Sequence, residues 1–188
     1  MPRRCTGMNR FYNNYSQFLF SRLSARTYKI PLNIDSSCPN RDGSKSQGGC
    51  RFCSSAGSGT GSNLSIEQQI RKFSKNRNEK YIGYLQSFCN MYGDTDKLKD
   101  VFREILSHPS LDGISVATRP DTVNPELLEY LSTYRNKYIQ IELGLESVNQ
   151  TALDSMNRHD TPESFRYAVH MIQELCPQAH TVGHMIIG

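Results

Sequence analysis

At 188 residues, 37% of them hydrophobic and 21% charged, the chain has the size and apolar content of one domain with a proper core. That composition excludes collagen-like and disordered polymers, and a net charge of +4 allows weak attraction to nucleic acid or anionic metabolites without requiring either. No stretch is apolar for long enough to span a bilayer, and Arg3 and Arg4 lack the apolar run of a signal peptide behind them. Six cysteines without an export signal point to the reducing cytosol, and to metal or redox chemistry instead of disulfides.

Residues 1–8 read as an N-terminal tail and 9–188 as the domain. Phe11, Tyr12, Tyr15, Phe18, Leu19 and Leu23 recur at three- and four-residue steps, which predicts an amphipathic helix over 9–24. The alternating segment from Ile30 predicts a strand ending near Ser37. A loop with three cysteines follows: Cys38-Pro-Asn-Arg-Asp-Gly, a Gly/Ser-rich run, then Gly48-Gly-Cys50-Arg-Phe52-Cys53. A Gly/Ser linker over 57–62 leads to Ser65, which with Gln68 forms a capping box opening a helix. The remainder alternates: strand 80–88, helix 95–107, strand 113–119, then a helix capped by Asn124 with Pro125 at its first position. A strand over 138–147, a helix from Thr161-Pro162 to about Cys176, and an apolar strand over 180–188 complete the order. Repeated βα units joined this closely predict a parallel sheet with right-handed crossovers.

Three cysteines in one loop do not close a structural zinc site, which takes four protein ligands. Iron–sulfur clusters also normally take four thiolates, so three on a cubane would leave one iron free. A zinc module remains an alternative, since Cys50-x-x-Cys53 has zinc-like spacing and a histidine could complete the set. Cys5, Cys89 and Cys176 are scattered singly and read as small buried or incidental residues. Period-two alternation puts Gln140, Glu142, Gly144 and Glu146 on one strand face and Ile141, Leu143 and Leu145 on the other. Two carboxylates facing a barrel interior suggest a functional cavity. Arg119, at the carboxyl end of its strand, could anchor a carboxylate or pair with an interior glutamate, and Asp121 could cap the turn. His159 reads as a surface residue at a helix boundary, and the basic runs Arg3 to Lys29 and Arg71 to Lys80 as solvated faces or an RNA patch.

The cysteine loop, Thr118-Arg119-Pro120-Asp121, Glu142-Leu-Gly-Leu-Glu-Ser147 and Met156-Asn-Arg-His-Asp160 together resemble the radical S-adenosylmethionine (SAM) superfamily. The wording is similar to its YhcC/YtqA-type branch, related to the elongator catalytic subunit and sharing its long gap between the first two cysteines. The resemblance runs from about Met8 onward and departs at three points: the glycine usual between Arg158 and His159 is absent, Leu85-Gln-Ser-Phe-Cys-Asn90 replaces Gly-Gly-Glu, and His184 takes the first position of the last strand's Gly-x-Ile-x-Gly, where Ile186 and Gly188 match.

The resemblance implies an α/β fold, a partial (β/α) barrel of the radical SAM type, of about five βα units and truncated on its C-terminal side. It implies that Cys38, Cys50 and Cys53 bind a [4Fe–4S] cluster and that SAM chelates the open iron to yield a 5′-deoxyadenosyl radical. It implies cofactor contacts from Phe52, Gln86, Asn90, Glu142, Arg158 and Ile186, with Glu146 and Arg119 in catalytic positions. The partners implied are a flavodoxin- or ferredoxin-type reductant and a candidate RNA substrate, in a cytoplasmic protein without a membrane anchor. The family's strand before Gly188 continues into Leu-Pro-Gly-Glu, so the chain reads as a fragment of a longer protein; the alternatives are a non-catalytic zinc module and an inactive fragment.

Overall fold

The computed structural model describes residues 12–55, 57, 64–73 and 78–187. The predicted tail over 1–8 and Gly188 lie outside the described residues, and of the linker 57–62 only Gly57 is described. Five strands, β1 (Thr27–Leu32), β2 (Lys80–Leu85), β3 (Gly113–Thr118), β4 (Tyr138–Glu146) and β5 (His180–Met185), pair in parallel and in sequence order. Parallel neighbours cannot be joined by hairpins. The crossovers carry α2 (Ile66–Phe73), α3 (Thr95–Ser107), α4 (Pro125–Ser132), α5 (Gln150–Ser155) and α6 (Pro162–Leu175). Right-handed crossovers that always step the same way put these helices on one face and curl the sheet into a partial (β/α) barrel.

The two strand faces divide by chemistry. Ile30, Leu32, Leu85, Ile114, Val116, Ile139, Ile141 and Leu143 meet Phe102, Ile105, Leu127, Leu131 and Ile172 of the helices in one apolar cluster. The other face carries Lys29, Tyr84, Ser115, Gln140, Glu142 and His184, whose side chains bond to one another. The first helix, α1 (Tyr15–Leu23), packs there as well. Its Leu19 joins Ile82 and Tyr138 in a second cluster, and Tyr15 Oη donates to Gln140 Oε1 at 2.9 Å. Thus α1 plugs the amino end of the concave face and leaves the carboxyl end open.

Local chemistry sets most boundaries as the sequence suggests. Asn124 Oδ1 accepts from the N–H groups of Glu126 and Leu127, and the reciprocal bonds between Ser65 and Gln68 form the expected capping box. Caps of this kind contribute about 1 kcal/mol each. The short α5, opened by Asn149, is a helix that sequence periodicity did not indicate. Strand β2 ends at Leu85 and not near residue 88, and Phe88 beyond it takes a left-handed conformation (φ 60°). Among the described residues no helix is long and apolar enough to cross a membrane.

Candidate functional site at the carboxyl ends of the strands

Two loops stapled together build the site. Asn40, fully buried, donates from Nδ2 to the carbonyls of Asn157 (2.8 Å) and Arg158 (3.0 Å), while its own carbonyl accepts from Gly49 N–H. In return Asn157 Nδ2 donates to the Gly49 carbonyl at 2.9 Å, and Arg51 N–H to the Met156 carbonyl. Gly48 and Gly49 both have φ 81°, the left-handed backbone that turns the chain back and presents Cys50 near Asn40. Arg41 clasps the loop end through the carbonyls of Cys53 and Ser54 and lies over the Phe88 ring. Asn157 and His159 are themselves left-handed, which lets the second loop turn without the family's usual glycine.

Between these loops and the strand ends lies a cavity of about 290 Å³. Cys38, Cys50 and Cys53 all line it, with Phe52, Gln86, Arg119, Glu142, Gly144, Glu146, Arg158 and Ile186. Arg158 Nη1 points at Cys50 Sγ (3.8 Å) and Nη2 donates to the Gly144 carbonyl at 2.7 Å. Asn40 Nδ2 lies 3.4 Å from the same sulfur. Cys38 titrates well below an ordinary thiol, lowered to about 6: its sulfur accepts a hydrogen bond from Cys89, which outweighs burial, and the Asn40 N–H, Arg119 and Arg158 add to it. Cys89, the donor, is pushed far up by that bond and by burial. The sequence reading took Cys89 as a small buried or incidental residue; it is buried, and the fold puts it on the cavity wall with Cys38.

Glu142 is the hub of the concave face. Although only 2% exposed, it accepts from Lys29, Ser115, Gln140, Tyr84 (3.0 Å) and His184 (2.7 Å). Burial would raise its pKa, but the bonds from His184, Lys29 and Ser115 hold it well below the usual carboxylate range. The stability it contributes is therefore present above 4.5 and is lost as pH falls through its depressed folded value. His184 is raised by its bond to Glu142, so its contribution is complete below 6.5 and is lost as pH rises through the folded value. Glu142→Gln leaves Lys29 with no full charge partner in a mostly buried position and should cost roughly 2–4 kcal/mol in urea unfolding. His184→Gln should flatten the decline in stability above pH 6.5. An unchanged pH profile in that variant would contradict the His184–Glu142 pairing.

The structure gives three of the expected site residues partners within the protein. Asn90 does not line the cavity: its amide donates to the carbonyls of Leu85 and Ala117, tying the end of β2 to β3. The left-handed Phe88 breaks strand alternation just before it, which is why its side chain turns inward. Glu142 reaches the cavity, and its carboxylate accepts from Lys29, Tyr84, Ser115, Gln140 and His184, which tie the sheet interior together. Arg119 reaches the cavity wall too, but its guanidinium pairs with Asp121 and donates to the carbonyls of Arg158 and His159. It pairs with no interior glutamate, and its place is a positioning one, holding the second loop. Glu146 is different. It makes no hydrogen bond from its carboxyl to a described residue, burial raises its pKa, and its φ of 60° is a strained conformation for a non-glycine residue.

The donor set suits an anionic sulfur-bound group. Arg158 Nε, an N–H donor, is buried without a hydrogen-bond partner among the described residues, beside a cysteine that already draws two N–H donors. Among the described residues, no three His, Cys, Asp or Glu side chains are grouped to hold a single metal ion.

Comparison with known proteins follows the same line. Residues 38–188 match the Radical SAM superfamily. The chain is similar to the uncharacterized protein YtqA of Bacillus subtilis (strain 168), 33% identical over 159 residues, covering 79% of this chain and 49% of that protein. Protein YhcC of Escherichia coli (strain K12) is 29% identical over 160 residues, 81% of this chain and 52% of that protein. The chain thus spans about half the length of these curated relatives. A tRNA-2-methylthio-N(6)-dimethylallyladenosine synthase of Citrifermentans bemidjiense is 25% identical over 105 residues, 55% of this chain and 24% of that protein. Among solved structures, the cobalamin-dependent SAM radical enzyme OxsB shares the fold, with a TM-score of 0.53 at 17% identity over 85% of this chain and 23% of that one. On the strength of a match that starts at the first cavity cysteine and takes in strands β2 to β5, the chain belongs to the radical SAM superfamily.

Proposed function

We propose that this chain is the catalytic core of a radical SAM enzyme, with Cys38, Cys50 and Cys53 holding three irons of a [4Fe–4S] cluster. The observation that carries this reading is the gathering of those three cysteines, Arg158 and Glu146 around one cavity at the carboxyl ends of a parallel sheet. When bound, cluster and SAM together supply reductive cleavage to a 5′-deoxyadenosyl radical, using one electron from a flavodoxin- or ferredoxin-type protein. The chain's own residues bind and orient. Arg158 offers positive charge to the Cys50 sulfur and keeps one N–H for an anionic group. The unpaired carboxylate of Glu146 suits the ammonium of SAM, the task that Gly-Gly-Glu performs in other family members. Gln86 offers polar contacts, and Phe52 and Ile186, both exposed, give an apolar cover for an adenine ring. The likeness to the tRNA synthase and the net charge of +4 support RNA as the substrate class; salt-dependent retention of tRNA in a gel shift tests it, and no retention at low salt would remove it. Cysteine usage supports a cytoplasmic setting.

The test is anaerobic reconstitution with iron and sulfide, then SAM and dithionite, with 5′-deoxyadenosine as the readout. Product formation that stops in Cys53→Ser supports the reading. Uptake of zinc without iron would replace it with the zinc module, and a cluster without SAM cleavage would replace it with an inactive core. Glu146→Gln should raise the KM for SAM roughly 10–100-fold, the worth of a charged hydrogen bond. Its melting temperature should hold or rise, since a half-buried unpaired carboxylate gives up its desolvation cost. A collapse in melting temperature at full activity would instead make Glu146 structural.

A further inference from the structure

Four cysteines face the cavity, one more than the proposed cluster uses. The fourth, Cys89, is 1% exposed and held by its backbone: its N–H donates to the Ser37 carbonyl at 3.0 Å. By standard backbone dimensions that bond keeps the Cα atoms of Cys38 and Cys89 roughly 5–7 Å apart, a span a disulfide bridges. Both residues line the same cavity. Phe88 spends a left-handed conformation immediately before Cys89, and that turn directs the thiol to the cavity wall and not into the next strand position. Such strain in a non-glycine residue persists where the surrounding structure fixes it, often at functional sites. The other cavity pair is built differently, since the Cys50 sulfur already draws Asn40 and Arg158.

We propose that Cys38 and Cys89 form a reversible disulfide in the iron-free protein, a bridge that shields the first cluster cysteine from irreversible oxidation. The inference rests on Cys38 being a cluster ligand for its meaning, but the bridge itself needs no cluster. The oxidant is a hydroperoxide. One peroxide oxygen passes to the Cys38 sulfur, giving a sulfenic acid and water; the Cys89 thiol then attacks that sulfur, forming the S–S bond and releasing a second water. Two thiols lose two electrons and two protons, and one peroxide becomes two waters. Without Cys89, the Cys38 sulfenic acid stays open to a second peroxide and to the sulfinic state, which thiols do not reverse.

Iron-free protein treated anaerobically with one equivalent of hydrogen peroxide, alkylated, digested without reduction and mapped by mass spectrometry tests this directly. The expected product is a peptide linking Cys38 to Cys89, with loss of iron and sulfide uptake that dithiothreitol restores. In Cys89→Ser under excess peroxide, Cys38 should be found as sulfinic acid and uptake should not return. A Cys50–Cys53 bridge in its place, or free alkylation of both Cys38 and Cys89 after oxidation, overturns the proposal. Should Cys89→Ser lose its circular-dichroism signature of folding, the wild-type peptide map decides alone. If reduced, never-oxidised protein takes up no iron, the cluster assignment fails while the map still reports on the bridge.

Discussion

Arg119→Ala should lower the unfolding free energy by about 3–5 kcal/mol, the cost of stranding a buried charge partner, and the melting temperature by roughly 10 °C. Arg119 is 2% exposed, and its guanidinium meets Asp121 through two bonds of 2.8 and 2.9 Å. It also donates to the carbonyls of Arg158 (2.8 Å) and His159 (3.0 Å), which accept from Asn40 Nδ2 and Lys45 Nζ as well. Asp121 in turn pairs with Lys45 of the cysteine loop, so one residue ties strand β3 to both loops of the site. Iron retention should therefore fall together with stability. Arg119→Lys should not rescue either property, because an ammonium lacks the planar fork that serves a carboxylate and two carbonyls at once. A melting temperature within a degree or two of wild type would show that the loops are held by other means.

Arg158→Gln should separate the two properties. Arg158 sits behind Cys50 as an outer partner of a proposed ligand, and removing such partners typically costs 10–100-fold in metal affinity or activity. The readout is the rate at which a chelator strips iron from reconstituted protein, beside the reduction potential, which shifts when charge near a cluster sulfur changes. The fold should survive, since the loop remains stapled by Asn40, Asn157 and Arg119. Unchanged stripping and potential would mean that the Arg158–Cys50 contact of 3.8 Å carries no weight. Gly144 belongs to the same arrangement: an added Cβ would run into Glu146 Oε1 and Arg158 Nη2, so this position must stay bare for both side chains to reach the cavity.

Alternation along β4 was legible from residue types alone: Ile141 and Leu143 enter the helix-covered core, while Glu142 and Glu146 line the cavity. The repeated βα order gave the parallel sheet for the same reason, since short connections leave few topologies open. What stayed hidden lies in contacts between distant segments. Lys29 reaches Glu142 across 113 positions; it lies just before the segment from Ile30 that the alternation marks as a strand, while β1 begins at Thr27. Asn40 and Arg41 stood in plain view within the Cys-Pro-Asn-Arg motif, yet their work is to bond carbonyls in loops that only the fold brings near. Cys89 was missed because it lies far from the cysteine loop in sequence. Its position just after β2, at the carboxyl end where parallel folds build their sites, was the signal available. Asn90 misled for the opposite reason: the left-handed Phe88 resets side-chain direction, and composition does not announce that turn.

The most direct measurement is electron paramagnetic resonance of the reduced, anaerobically reconstituted chain before and after addition of SAM. The expected result is a [4Fe–4S] signal that depends on Cys38, Cys50 and Cys53, persists in Cys89→Ser, and changes shape when SAM occupies the open iron. A signal indifferent to SAM, or one lost in Cys89→Ser while the protein stays folded, would mean that a fourth side chain closes the cluster and that this cavity does not bind SAM through iron.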